Sequence, residues 1–137
     1  KTPRHIGIGY LKGYGLKSGA VATSVAHDSH NIICVGTNDE DMAFAVNRIA
    51  RNRGGIVVVE NGQVLAELPL EIAGIISGKP LREVNTLLED AKKAAHALGV
   101  GTDIDPFMTL SFMSLPVIPT LRLTTRGVVD VNTQQYV

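Results

Sequence analysis

Ile56-Val57-Val58-Val59-Glu60-Asn61-Gly62-Gln63-Val64-Leu65-Ala66-Glu67 sets the architecture. Two apolar runs flank Asn-Gly, a pair whose residues both tolerate the positive φ of a tight hairpin turn. The sequence therefore predicts antiparallel strands over 56–60 and 63–67. Upstream, Gly54-Gly55 closes a segment in which Met42, Ala45, Val46 and Ile49 recur at helical spacing, with Asn47, Arg48 and Arg51 turned toward solvent. Thr37-Asn38-Asp39-Glu40 ahead of it fits a capping box, Thr37 as the cap and Glu40 returning three residues later. A helix over 39–52 follows. Downstream, Val84, Leu87, Leu88, Ala91, Ala95 and Leu98 line a second helix over 80–98, opened by Pro80 at the first helical position and stopped by Gly99. His96 lies beside that stripe and reads as a last-turn histidine favoured by the helix dipole.

Further out, Gly19–Val25 and Ile32–Gly36 read as short extended runs, and Arg4–Leu11 as the beginning of a first strand. Lys12–Gly19 is a glycine-rich turn. Gly13-Tyr14-Gly15 opens a Gly-x-Gly pattern, but position 18 is serine and no lysine-serine ending follows, so a turn is preferred over a phosphate cradle. Leu68–Ser77 is apolar without clear period and is expected as an extended or short helical crossover. Pro106–Leu115 is apolar, interrupted only by small hydroxyl residues, and Pro116 and Pro119 prevent a long helix. That segment must be covered, either by this domain's own sheet or by an interface. Residues 121–124 and 127–131 close the chain as a turn-linked strand pair, with Arg122 and Arg126 as surface charges. The fold expected is α/β or α+β, with residues 1–137 forming a single domain: a mixed β-sheet of about six to seven strands covered by two main helices.

Thirteen basic and thirteen acidic side chains cancel. There is no basic footprint for nucleic acid. No apolar run reaches the roughly 18 residues of a membrane span, and the first residues are not followed by a signal-peptide core. A lone Cys34 within a strand cannot staple the domain and favours a reducing compartment. The expected location is cytoplasmic, without membrane or nucleic-acid partners.

The densest chemistry lies between the strands at 19–25 and 32–36. His27, Asp28, Ser29, His30 and Asn31 place two imidazoles, a carboxylate, a hydroxyl and a carboxamide in five consecutive positions at a strand end. Imidazole is the side-chain type suited to proton traffic near neutral pH, and two lie here. The bland alternative is a structural turn in which Asp28, Ser29 and Asn31 bond their own backbone. A metal held by His27, His30 and Asp28 is a third option, disfavoured because neighbours at this spacing rarely converge on one ion and a closed zinc site wants four ligands.

The succession of Gly19-Ala20-Val21-Ala22, Ala26-His27-Asp28-Ser29-His30-Asn31-Ile32, Gly36-Thr37-Asn38, Gly54-Gly55, Leu68-Pro69-Leu70, Pro106–Phe112 and Leu115-Pro116-Val117-Ile118-Pro119 resembles the C-terminal domain of prokaryotic adenine deaminases, essentially end to end. The resemblance implies amidohydrolase chemistry. A (β/α)-barrel would hold divalent metal, manganese or iron, and adenine would be hydrolysed to hypoxanthine and ammonia in purine salvage. The barrel's metal ligands have no counterparts here, so the chain by itself is expected to be inactive and to bind no metal. The resemblance further implies that His27, Asp28 and His30 are candidate catalytic groups of a composite site, with Ser29 and Asn31 as candidate substrate contacts. His5 reads as an edge residue of the first strand, and the resemblance allows it a role at an interdomain seam. The partners implied are adenine, the absent barrel and further copies of the same protein. The competing expectation is a structural or oligomerisation domain of the same enzyme.

Overall fold

The Asn-Gly hairpin forms where the sequence requires it. A computed structural model describes residues 5–137. In it Gly55–Glu60 (β3) and Gln63–Pro69 (β4) pair antiparallel, and Asn61 and Gly62 turn the chain with φ of 51° and 71°. Ala20–Thr23 (β1) and Ile33–Gly36 (β2) complete a four-stranded antiparallel sheet of order β2-β1-β3-β4. Leu121–Thr124 (β5), Gly127–Asp130 (β6) and Gln135–Tyr136 (β7) make a separate three-stranded antiparallel sheet. The helices are Asp39–Asn52 (α1), Leu81–Ala97 (α2) and Pro106–Met113 (α3). The class is thus α+β with seven strands, as expected. The strands divide into two sheets because the last three pair among themselves, and a short third helix joins the two foreseen.

The large sheet is buried on both faces, which is why β1 and β3 read as unbroken apolar runs. Ala20, Ala22, Val57 and Val59 pack with Ala45 and Ile49 of α1. On the opposite face Val21, Ile56 and Val58 meet Ala91, Ala95 and Leu98 of the α2 segment, with Phe107 and Leu110 of α3. Alternation along each strand feeds the two cores. The strip of alanines lets α1 sit close.

Capping departs from expectation by one residue. Thr37 still pairs with the sheet, its N–H donating to Gly19 O at 3.0 Å, so it cannot open the helix. Asn38 does so instead, accepting from Asp41 N at 2.7 Å. The buried Asp41 carboxylate then accepts from Asn38 Nδ2 (3.0 Å), Asn61 N (3.1 Å) and Gly62 N (2.7 Å), tying the helix start to the hairpin turn. The Asn38 amide, then the Gly62 and Asn61 N–H groups, hold this carboxyl below its ordinary range. A depressed folded-state pKa stabilises above the unfolded value, and that stabilisation is lost as pH falls through the folded one. Asp41→Asn is therefore expected to be less stable than the parent at neutral pH, with the gap in urea midpoints closing below about pH 4. A gap independent of pH would contradict the clamp.

Other elements refine the sequence reading. Pro80 is the cap of α2 rather than its first helical residue, because its carbonyl accepts from Val84 N at 3.1 Å. Residues 5–11 form no strand, and Arg4 lies outside the described residues. Gly7 packs its backbone against Thr124 and Gly127, and Gly9 lies against Val128, so the side of this segment that meets the second sheet is glycine, and Ile6, Ile8 and Tyr10 stay exposed. Tyr14 is buried with its hydroxyl donating to Pro106 O at 3.1 Å, and Gly13 and Gly15 carry φ of 86° and 90°, the geometry of a turn. Leu68–Ser77 finishes β4 and becomes a tight loop closed by an Ile72–Ile76 bridge. Arg48 is drawn from solvent into a two-pronged pair with Glu67, both contacts 2.7 Å. Arg122, foreseen as a surface charge, donates to the backbone oxygens of Leu121 and Pro119 at 2.6 and 3.0 Å.

Cys34 lies half-buried in β2 against Met42, and burial pushes its thiol pKa up to about 12. Near about pH 8 such a thiol is only ~10⁻⁴ thiolate. A thiol-reactive disulfide reagent is expected to label the folded chain far more slowly than the urea-unfolded one; equal rates would refute this.

Candidate functional site

One end of the large sheet gathers the loops that matter. The β1–β2 turn, the exit of α1 at Arg53, the loop after β4 and the end of α3 all lie there. Ser24 ties two of them together: its hydroxyl accepts from Gly55 N (2.8 Å) and contacts Gly74 O (2.5 Å). Gly54, at φ 133°, fits so closely that a Cβ would lie 2.3 Å from Gly74 Cα.

The backbone of the turn is fixed while its side chains stay open. His27 N–H donates to Ser111 O at 3.0 Å, and His27 O accepts from Ser114 Oγ at 3.1 Å. His30 closes the turn with N–H to Ala26 O at 2.6 Å, at a left-handed φ of 49°. Asp28, Ser29, His30 and Asn31 are exposed, and His27 is half-buried. Asn31 Nδ2 donates to Ser29 Oγ at 3.0 Å, while among the described contacts no side chain of Asp28, Ser29 or Asn31 bonds main chain, as a purely structural Asx connection would require.

The two imidazoles differ in setting. Ala26 N–H donates to His30 Nδ1 at 3.2 Å, so in the neutral ring Nε2 carries the proton and is a donor. The His27 ring stacks on Phe112, centroids 5.0 Å apart and planes at 26°, which covers a face and leaves its nitrogen-bearing edge uncovered by that contact. The rings stand 6.0 Å from each other.

His30 also lines a shallow groove of about 400 Å³ with Ser24, Ile32, Arg53, Glu71 and Gly74. Glu71 Oε1 accepts from Gly78 N at 3.0 Å, while Oε2 is buried without a partner among the described residues. Backbone N–H groups of Glu71 and Gly78, helped by Lys79 and Arg53, hold that carboxyl below its usual range. Arg53 and Glu71 escaped the sequence reading because only tertiary folding brings them to His30. Phe112 and Ser114 lay inside an apolar run that gave no sign of which residue would meet the turn.

A metal does not fit this set. Among the described residues no group of three or more His, Cys, Asp and Glu side chains is placed to hold an ion. His30 Nδ1 is already engaged. His96, in the last turn of α2 as expected, contacts Val100 O through Nδ1 at 3.2 Å and stands apart from this end. His5 is exposed.

A helix-clad sheet with a braced turn carrying acid, base and amide groups outward from one end defines an α+β domain whose chemistry faces away from its own core. Residues 1–135 match the family described as the adenine deaminase C-terminal domain, and the chain belongs to that family. It is 52% identical over 137 residues to the adenine deaminase of Nitratidesulfovibrio vulgaris Hildenborough, covering 99% of this chain and 24% of that protein. Against the adenine deaminase of Geobacillus kaustophilus the identity is 47% over 132 residues, 96% of this chain and 23% of that protein. For that of Bacillus subtilis 168 it is 46% over 137 residues, 100% and 24%. The chain thus spans about a quarter of the length of the curated relatives it matches. Among the described residues no helix is long and apolar enough to cross a membrane.

Proposed function

We propose that this chain is a single domain serving as the C-terminal part of a metal-dependent adenine deaminase, and that its β1–β2 turn forms one wall of a composite active site in the cytoplasm. The reaction is hydrolytic: adenine and water give hypoxanthine and ammonia, in purine salvage. The divalent ion, manganese or iron, belongs in this reading to the catalytic barrel.

The observation that carries the reading is a turn with a clamped backbone and free side chains. A purine edge presents ring nitrogens that accept and N–H groups that donate. The Asp28 carboxylate accepts, while Ser29 and Asn31 can do both. His27 and His30 are of the type that moves protons near neutral pH, and the departing amino nitrogen needs a proton. In this reading Asp28, Ser29 and Asn31 orient the base while His27 or His30 exchanges a proton with it.

The second reading is a scaffold or oligomerisation domain, and the exposed Ile6, Ile8, Tyr10 and Val117 favour it. Substitution of His27 or Asp28 in the full-length enzyme separates the two. Lost turnover with metal content and assembly intact supports the composite site; unchanged turnover leaves the scaffold.

A further inference from the structure

Helix α3 has an inner side that is plainly structural: Phe107, Leu110 and Ser111 are buried in the core. Its C-terminal end is different. Phe112 remains 37% exposed, yet its ring lies against the His27 imidazole at 5.0 Å. Ser114, the residue that ends the helix, donates to His27 O at 3.1 Å, and Ser111 O accepts from His27 N–H at 3.0 Å. Three contacts from residues 111, 112 and 114 thus converge on one residue. Among the described contacts, no other member of the 27–31 turn is hydrogen-bonded or stacked to a different element.

The form of this grip matters chemically. Hydrogen bonds on both peptide groups around His27 fix its backbone, so Cα and Cβ have one position. Stacking through the ring face then restricts the side-chain torsions. A contact at the face occupies neither ring nitrogen, whereas a hydrogen bond to the ring would consume one of the two atoms needed for proton transfer. An aromatic neighbour is the means of aiming an imidazole without engaging its nitrogens.

We propose that Phe112 and Ser114 are positioning residues of the composite site: they set the direction in which His27 presents its nitrogens to the purine. This rests on the reading of the 27–31 turn as substrate-facing. Misplacing a reacting group by about 1 Å can cost on the order of 10²-fold in rate, so the effect belongs in kcat.

The test uses the full-length enzyme with adenine as substrate, comparing Phe112→Leu, Phe112→Tyr, Ser114→Ala, His27→Ala and the double variant His27→Ala with Phe112→Leu. Phe112→Leu and Ser114→Ala are each expected to lower kcat by about 10-fold or more with KM changed by less than about 3-fold. Phe112→Tyr, which keeps the ring, should retain kcat near that of the parent. Phe112→Leu should add nothing once His27 is alanine, because it acts through that residue. Tyrosine conserves packing as well as the ring, so the deciding arm is the double variant: a loss merely structural in origin would persist in the His27→Ala background, and that outcome overturns the positioning role. An impaired His27→Ala beside an unimpaired Phe112→Leu overturns the positioning role alone. A His27→Ala enzyme that turns over at the parent's rate overturns the composite site and this role with it.

Discussion

Alanine at Gly54 is expected to remove a large part of this domain's stability. Its φ of 133° is one that a residue with a Cβ rarely adopts, and the added carbon would lie 2.3 Å from Gly74 Cα and 2.6 Å from Leu70 O. These are backbone atoms, which cannot swing aside as the end of a side chain can. Backbone strain of about 1–3 kcal/mol and overpacking of about 1–3 kcal/mol point the same way. Their sum, roughly 2–6 kcal/mol, compares with the ~5–15 kcal/mol that holds a typical domain together. Gly13→Ala is the matched control, since at φ 86° it is strained but meets nothing within 4 Å. Urea unfolding of both variants decides the matter: equal midpoints would mean that the Gly54–Gly74 approach carries no weight. A partly folded Gly54→Ala should also disturb the groove beside His30, which both glycines line.

The second large effect is on turnover. In the full-length enzyme, His27→Ala is expected to lower kcat by about 10²–10⁴-fold, the range associated with loss of a positioned proton-transfer group. The half-buried ring makes one stacking contact, worth about 0.5–1.5 kcal/mol, so the fold should survive. Asp28→Asn is the companion variant, because it removes charge and preserves shape at an exposed position. Its loss should appear with the melting temperature unmoved. Turnover at the parent's level in both variants would assign all the chemistry elsewhere.

Much of this architecture was legible from local signals. The Asn61-Gly62 turn and the two helical stripes depend on neighbours within a few positions, and they appear where the pattern puts them. Thr37 misled because its side-chain type suits a cap, whereas its backbone is already committed to Gly19. Residues 5–11 misled because alternation with glycine imitates a strand, whereas the side turned to the second sheet is glycine and Ile6, Ile8 and Tyr10 stay exposed. Splitting into two sheets depends on which edge strands find one another, and no residue advertises that. At the site, the five polar residues were visible as a cluster. What surrounds them was not: Arg53, Glu71, Phe112 and Ser114 arrive from three different elements, and Phe112 is one aromatic among apolar neighbours.

The hydrogen bond between Ser114 and His27 joins residues 87 apart in the sequence. Closing a loop of that span is entropically slower than zipping a local hairpin, so β3 and β4 can meet well before the turn acquires its brace. The aim of the imidazole is thus expected to be set after the hairpin has formed. A synthetic peptide spanning residues 24–36 would carry the same acids and bases, yet would lack the direction that only the returning helix confers.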